Sequence, residues 1–212
     1  MDGSGDGADT IKRGRKFDQV VDGARQVFMT DGYEGASVDT IAKAAGVSKA
    51  TLYSYFSDKR LLFMEVAQRE CAVQANRAID RIEEDGSPRE VLCEAAGHMV
   101  RFFLSHFGRQ VYRICVAESD RFPEIGQKFY ESGPMVVRTM LMEYLSEAVD
   151  RGELAIDDIE LAADQFPELC KASLHIPLVL GIKSEFTDAE IDRVISGAVD
   201  MFLARYGVDG AT

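Results

Sequence analysis

Apolar residues recur at three- and four-residue spacing along almost the whole chain, and no stretch shows the alternation of a half-buried strand. Val20, Val21, Ala24, Val27 and Phe28 form one stripe, which predicts a first helix over 17–30. Gly32 ends it and Tyr33 packs back. Val38, Ile41, Ala42 and Ala45 form a second, shorter stripe. Ser37 stands before it as an N-cap, and Gly46 follows as the left-handed residue that reverses the chain without a Cβ penalty. Val47 plugs that turn, and Ser48 caps a third helix whose inner face is Leu52 and Phe56. Asp58 opens a fourth, with Leu61, Leu62, Phe63, Val66 and Ala67, expected to run to about residue 84.

Asp85-Gly86-Ser87-Pro88 is the clearest break, with Ser87 as cap and Pro88 at the first helical position. Helices are then expected from 88 to about 105 and over 110–119. A longer one follows Arg121-Phe122-Pro123-Glu124, stepped near Gly133-Pro134 and closed by Arg151-Gly152-Glu153-Leu154. The next starts at Asp157 or Asp158 and reaches about 180, disturbed by Pro167 and Pro177. Thr187 and Glu190 make a capping box for the last, over 191–206. The fold class is all-α. No repeat of 20–50 residues is visible.

Two short helices about a glycine turn, Ser37 to Lys59, have the layout of a helix-turn-helix. The outer face of the second carries Lys49, Ala50, Thr51, Tyr53 and Tyr55, with no long acid. Small residues let a helix sit deep in a DNA major groove, where hydroxyls and a lysine reach phosphates or base edges. The same layout also occurs inside cores with no DNA role.

A net charge of −12 over 212 residues runs against that reading when taken as a whole. Its distribution does not. Residues 11–64 hold nine bases and six acids, so a basic head joins an acidic body. Residues 1–16 read as a Gly- and Asp-rich arm ending in Lys12, Arg13, Arg15 and Lys16, able to reach phosphates or lie solvated. Asp2, Ser4, Asp6 and Gly7 copy the opening of a calcium loop, but Arg13 stands where the bidentate glutamate is needed. Cys71, Cys93, Cys115 and Cys170 are scattered singly, which points to reduced thiols with no zinc site or disulfide framework. No membrane span or signal-peptide core is visible, so a soluble, cytoplasmic protein is expected. Apolar content of 46% suffices for a core. The G-x-S-x-G, H-E-x-x-H, P-loop and G-x-G-x-x-G signatures are missing. That disfavours an enzyme, and no cofactor or metal is expected. A helical protein that binds a partner without DNA remains a rival.

The run Gly46-Val47-Ser48-Lys49-Ala50-Thr51-Leu52-Tyr53-Ser54-Tyr55-Phe56-Ser57-Asp58-Lys59, with residues 28–42 before it, resembles the signature of the TetR family of bacterial transcriptional regulators. Residues 111–125, Phe129-Tyr130-Glu131 and Arg151-Gly152-Glu153-Leu154 resemble the C-terminal domain of AefR-like members. The resemblance implies a helix-turn-helix DNA-binding domain over 17–66, a helical-bundle domain for ligand and dimerisation over 67–207, and a tail over 208–212. It implies DNA contacts at Ser37, Ser48, Lys49, Ala50, Thr51, Tyr53, Tyr55 and Lys59, with Ser37, Tyr53 and Lys59 on phosphates and Lys49, Ala50, Thr51 and Tyr55 on bases. Many members have histidine where Tyr55 stands. It further implies a homodimer through helices near 157–180 and 187–206 that reads a palindromic operator.

The expected function is therefore a ligand-responsive repressor. The alternative is an activator or a ligand-independent regulator with the same DNA chemistry. Met99, Phe103, Tyr112, Met140, Phe166 and His175 are candidates to line a cavity for an apolar or amphipathic effector. His98, Arg101, Arg113 and Glu118 are polar groups near them that either orient a ligand or are simply paired. Apolar stripes with methionine are commonly plain core.

Overall fold

The computed structural model describes residues 14–79 and 86–208. Residues 1–13, the expected extension of the fourth helix to about 84, and residues beyond 208 lie outside the described residues. The chain divides into two compact units, Met1–Val66 and Ala67–Thr212. Among the described residues no strand occurs, only one isolated antiparallel bridge between Leu154 and Gly207. No helix among them is long and apolar enough to cross a membrane.

The first unit contains α1 (Arg15–Gly35), α2 (Val38–Ala44), α3 (Lys49–Tyr55) and the beginning of α4 (Lys59–Ile79). Its core is the stripe expected from spacing: Val20, Val21, Ala24, Phe28, Ile41, Leu52, Phe56, Leu62 and Phe63 are buried. Aromatic rings knit it. Phe17 stacks on Phe56 at 5.3 Å, and Phe28 meets Phe63 edge-on at 4.9 Å. Gly32 kinks α1 near its end, at φ +70°. A residue that spacing did not single out sets how closely α1 and α2 approach. A Cβ placed on Gly23 would lie 2.5–2.7 Å from the backbone and side chain of Ala45. The two helices touch there only because the side chain is a hydrogen.

The second unit contains the rest of α4, then α5 (Pro88–Leu104), α6 (His106–Glu118), α7 (Pro123–Ser132), α8 (Pro134–Asp150), α9 (Ile159–Leu169), α10 (His175–Val179) and α11 (Asp188–Tyr206). α11 packs on α5 and α9, and α8 on α9. Leu92, Ala96, Val100, Leu145, Ala162, Phe166, Val199 and Phe202 form the buried centre. The caps are local chemistry. Ser87 and Glu90 close a capping box on α5, and Thr187 and Glu190 close one on α11. At the far end of α11, the Ala155 N–H donates to the Tyr206 carbonyl at 2.8 Å, and the Val208 N–H to the Glu153 carbonyl at 3.3 Å.

Two expectations shift. The helix expected at 110 begins at His106, because Ser105 caps it through the Gly108 N–H at 3.0 Å. The helix expected from 157 to 180 is two, and neither proline divides them. Pro167 lies in the last turn of α9, and Pro177 in the first turn of α10, where no N–H is missed. The break spans residues 170–174, where Ser173 takes φ +57°.

Candidate nucleic-acid interface and effector cavity

α3 is fixed from beneath and bare above. Leu52 is 1% exposed and Phe56 5%, which anchors one face in the core. Ser48 secures the N-terminus: its Oγ accepts the Thr51 N–H at 3.1 Å and lies 2.9 Å from Thr51 Oγ1. Ser37 does the same for α2, accepting the Thr40 N–H at 3.0 Å. Gly46, at φ +63°, makes the turn between the two. Lys49, Ala50 and Tyr53 point away from the core, with Tyr53 52% exposed. The structure thus brings Ser37, Ser48, Lys49, Ala50, Thr51 and Tyr53 onto one small unit, with the hydroxyls of Ser48 and Thr51 already engaged in capping.

Two expected contact residues are held more tightly. Tyr55 is half-buried, its ring edge-on to Phe17 at 5.6 Å. Lys59 is also half-buried, and its Nζ donates to the carbonyls of Tyr33 at 2.8 Å and Ala36 at 3.0 Å. The same ammonium stands 4.2 Å from the Tyr33 ring centroid. It fastens the end of α1 just ahead of the α2 cap. Spacing missed this role because both partners lie more than twenty residues away.

The second unit contains a partly open cavity of about 500 Å³. Met99, Phe103, Tyr112, Met140 and His175 line it. Phe166 does not. It is fully buried with its ring 5.1 Å from Phe202, so it belongs to the core beneath. A helix apolar on more than one side does not reveal which side faces a void. Of the polar candidates, His98 and His175 line the cavity, whereas Arg101, Arg113 and Glu118 do not. Arg113 instead donates to the Val179 carbonyl through Nε at 3.1 Å and Nη2 at 2.8 Å, holding α10 against α6.

The cavity wall is aromatic. His175 meets Tyr112 edge-on at 4.8 Å and Phe103 at 5.9 Å, and Tyr112 meets Phe129 at 6.3 Å. Burial and the nearby Lys171 ammonium push His175 below the ordinary imidazole range, so its ring is neutral at pH 7. Tyr144 also lines the cavity, while its Oη is buried without a hydrogen-bond partner among the described residues. Burial and the Glu153 carboxylate push that phenol up to about 12. Burial likewise raises the thiols, Cys71 to about 11 and Cys115 and Cys170 to about 12, which leaves them protonated and unreactive at pH 7. Among the described residues no group of three or more metal-ligating side chains converges.

Residues 90–208 match the model of the AefR-like transcriptional repressor C-terminal domain, and residues 20–66 that of the bacterial regulatory proteins of the tetR family. The chain belongs to the TetR family. It is similar to a solved flavonoid-responsive regulator, FrrA, at 34% identity and a TM-score of 0.65, covering 92% of this chain and 99% of that one. It is also similar to the repressor AcnR of Corynebacterium efficiens, 34% identical over 68 residues, covering 32% of this chain and 34% of AcnR. The activator FasR of Mycolicibacterium smegmatis is 42% identical over 59 residues, covering 28% of this chain and 27% of FasR. The chain therefore matches only about a third of the length of these curated relatives.

This TetR-family regulator is a DNA-binding protein of transcription, and its relatives are regulators, not enzymes. The short matches to AcnR and FasR are long enough for a helix-turn-helix and too short for an effector domain. One relative is named a repressor and the other an activator.

Proposed function

We propose that this regulator is a repressor that binds a near-palindromic operator as a homodimer and is released by a small apolar or amphipathic molecule. The observation that carries the reading is the bare upper face of α3, with Lys49, Ala50 and Tyr53 uncovered on a helix anchored by Leu52 and Phe56. In this proposal Tyr53 bonds a phosphate through its hydroxyl, and Ser37 contacts one at the N-terminus of α2. Lys49, Ala50 and Thr51 read base edges or thymine methyls, with Ser48 holding the helix start. Tyr55 supports that face from Phe17, and Lys59 adds charge beside Ser37 while fastening the α1–α2 corner.

Support for the homodimer comes from apolar side chains left bare near the two segments expected to pair. Ile176, Leu180 and Ile182 are 64%, 65% and 75% exposed, and Leu161 and Met201 are uncovered on α9 and α11. Two copies would set their α3 helices about one DNA turn, ~34 Å, apart. The cavity supplies the effector site, and the name of FrrA accords with an organic effector. An effector that favours the wrong head spacing displaces DNA by no more than its differential affinity for the two states.

Nuclease protection on the DNA upstream of the gene tests the reading. The expected result is a footprint of two symmetric halves, weakened in Tyr53→Phe, with a dimer mass in light scattering. No protected site, or a monomer on DNA, removes it. Deletion of the gene should raise expression of the neighbouring genes; a fall would make the protein an activator.

A further inference from the structure

The cavity wall contains several charged groups, but most of them already have opposite charges beside them. Arg138 donates to Glu160 at 2.8 Å and to Asp164 at 2.9 Å. Lys171 is paired with Glu168, and His98 lies 3.6 Å from Glu94. Arg109 shares a 3.2 Å contact with the His106 ring. A ligand with several negative charges would find two of the wall's cations, Arg138 and Lys171, neutralised in advance.

What the wall leaves open is different. Among the described residues, neither the Tyr112 hydroxyl nor the His175 ring nitrogens make a hydrogen bond, although the two rings meet at 4.8 Å. A neutral imidazole offers one donor and one acceptor, and a phenol offers both. These unused polar atoms stand within rings set nearly perpendicular to one another: Phe103, Tyr112, Phe129 and His175 cross at 72–86°. Such walls suit the face and edge of another ring. A volume of about 500 Å³ is within the ordinary range for small organic ligands.

We propose that this cavity binds an uncharged, flat aromatic molecule bearing a hydroxyl or carbonyl group, which Tyr112 and His175 read. The inference rests on the effector reading above and narrows it. The neutral state of His175 supports it, since an imidazolium would favour an anion instead. Tyr112 and His175 act as selectivity residues. Without a polar group on the ligand, the Tyr112 hydroxyl and the His175 ring nitrogens would stay unpaired against it.

Calorimetric titration of the full-length protein with three probes tests this: 4-hydroxybiphenyl, biphenyl and dodecanoate. The expected order is 4-hydroxybiphenyl tightest, biphenyl about fivefold weaker for the lost hydrogen bond, and dodecanoate weakest. Tyr112→Phe should bring 4-hydroxybiphenyl close to biphenyl and leave biphenyl itself unchanged. His175→Gln, which keeps a donor and an acceptor, should retain part of the preference. Dodecanoate as the tightest probe, no binding of any probe, or a hydroxyl preference that survives Tyr112→Phe each overturns the proposal. The footprint of the same preparation separates the two failures. If dodecanoate binds and erases the footprint, the effector-released repressor stands and only the aromatic class falls.

Discussion

The Lys49 ammonium at the start of α3 is paired with the Asp39 carboxylate on α2. Their side chains are 57% and 67% exposed, so the pair contributes little to stability. Its consequence is for DNA. A carboxylate beside the proposed reading lysine opposes phosphate and holds the cation in one place. Asp39→Asn should leave the melting temperature nearly unchanged. It should steepen the salt dependence of DNA binding by up to about 0.9 in log–log slope, the share of one added phosphate contact. Affinity for arbitrary DNA should rise more than for the operator. Gel shifts across a salt series read both, and an unaltered slope would mean that releasing Lys49 from Asp39 adds no phosphate contact to its proposed base reading.

Gly23 tolerates no side chain. A methyl group there would overlap Ala45 backbone atoms at 2.5–2.6 Å, which cannot swing aside as a flexible side chain would. Gly23→Ala should destabilise the first unit by about 3 kcal/mol, the upper part of the range for overpacking. Because the strain falls between α1 and α2, operator binding should weaken as well. Chemical denaturation and gel shifts on one preparation check both effects.

Lys59 and Tyr53 should separate structure from contact. Lys59→Met removes two charge-assisted hydrogen bonds to the carbonyls of half-buried Tyr33 and buried Ala36. A loss of about 2 kcal/mol in stability is expected, with some loss of DNA affinity. Tyr53→Phe should keep stability within about 0.5 kcal/mol, as for an exposed position, while weakening DNA binding. If Tyr53→Phe binds like wild type, its hydroxyl does not meet a phosphate.

Glu190 makes the stability of α11 pH-dependent. The Lys183 ammonium and the Thr187 N–H and hydroxyl hold its carboxyl down at about 2. Unfolded glutamate titrates near 4.3, roughly. A lowered folded value stabilises above the unfolded value and is lost as pH falls toward the folded one. The gap in melting temperature between wild type and Glu190→Gln should therefore be full at neutral pH and close progressively below about pH 4. A gap of the same size at about pH 3 would mean the charge is not the source.

What was legible in the chain was local. Ser37, Ser48, Ser87 and Thr187 each accept the N–H three residues on, as their positions before apolar stripes suggested. Gly46 takes the left-handed turn for the same reason. The stripes located the core of both units. What was hidden depended on distant partners. Lys59 finds carbonyls 26 and 23 residues earlier, and Gly23 matters only because Ala45 arrives beside it. Phe166 and Met140 carry the same apolar signal, yet one fills the core and the other faces a void. The Asp39–Lys49 pair joins two helices whose crossing no spacing rule supplies.

The bridge between Leu154 and Gly207 does more than end the last helix. With Ala155 on the Tyr206 carbonyl and Val208 on that of Glu153, the backbone leaving α11 is stitched to the corner that follows α8. A carboxypeptidase trimming inward would meet a paired backbone at Val208 before it reached any helical turn. Digestion that has reached Val208 should slow there, with the far-ultraviolet helical signal still intact.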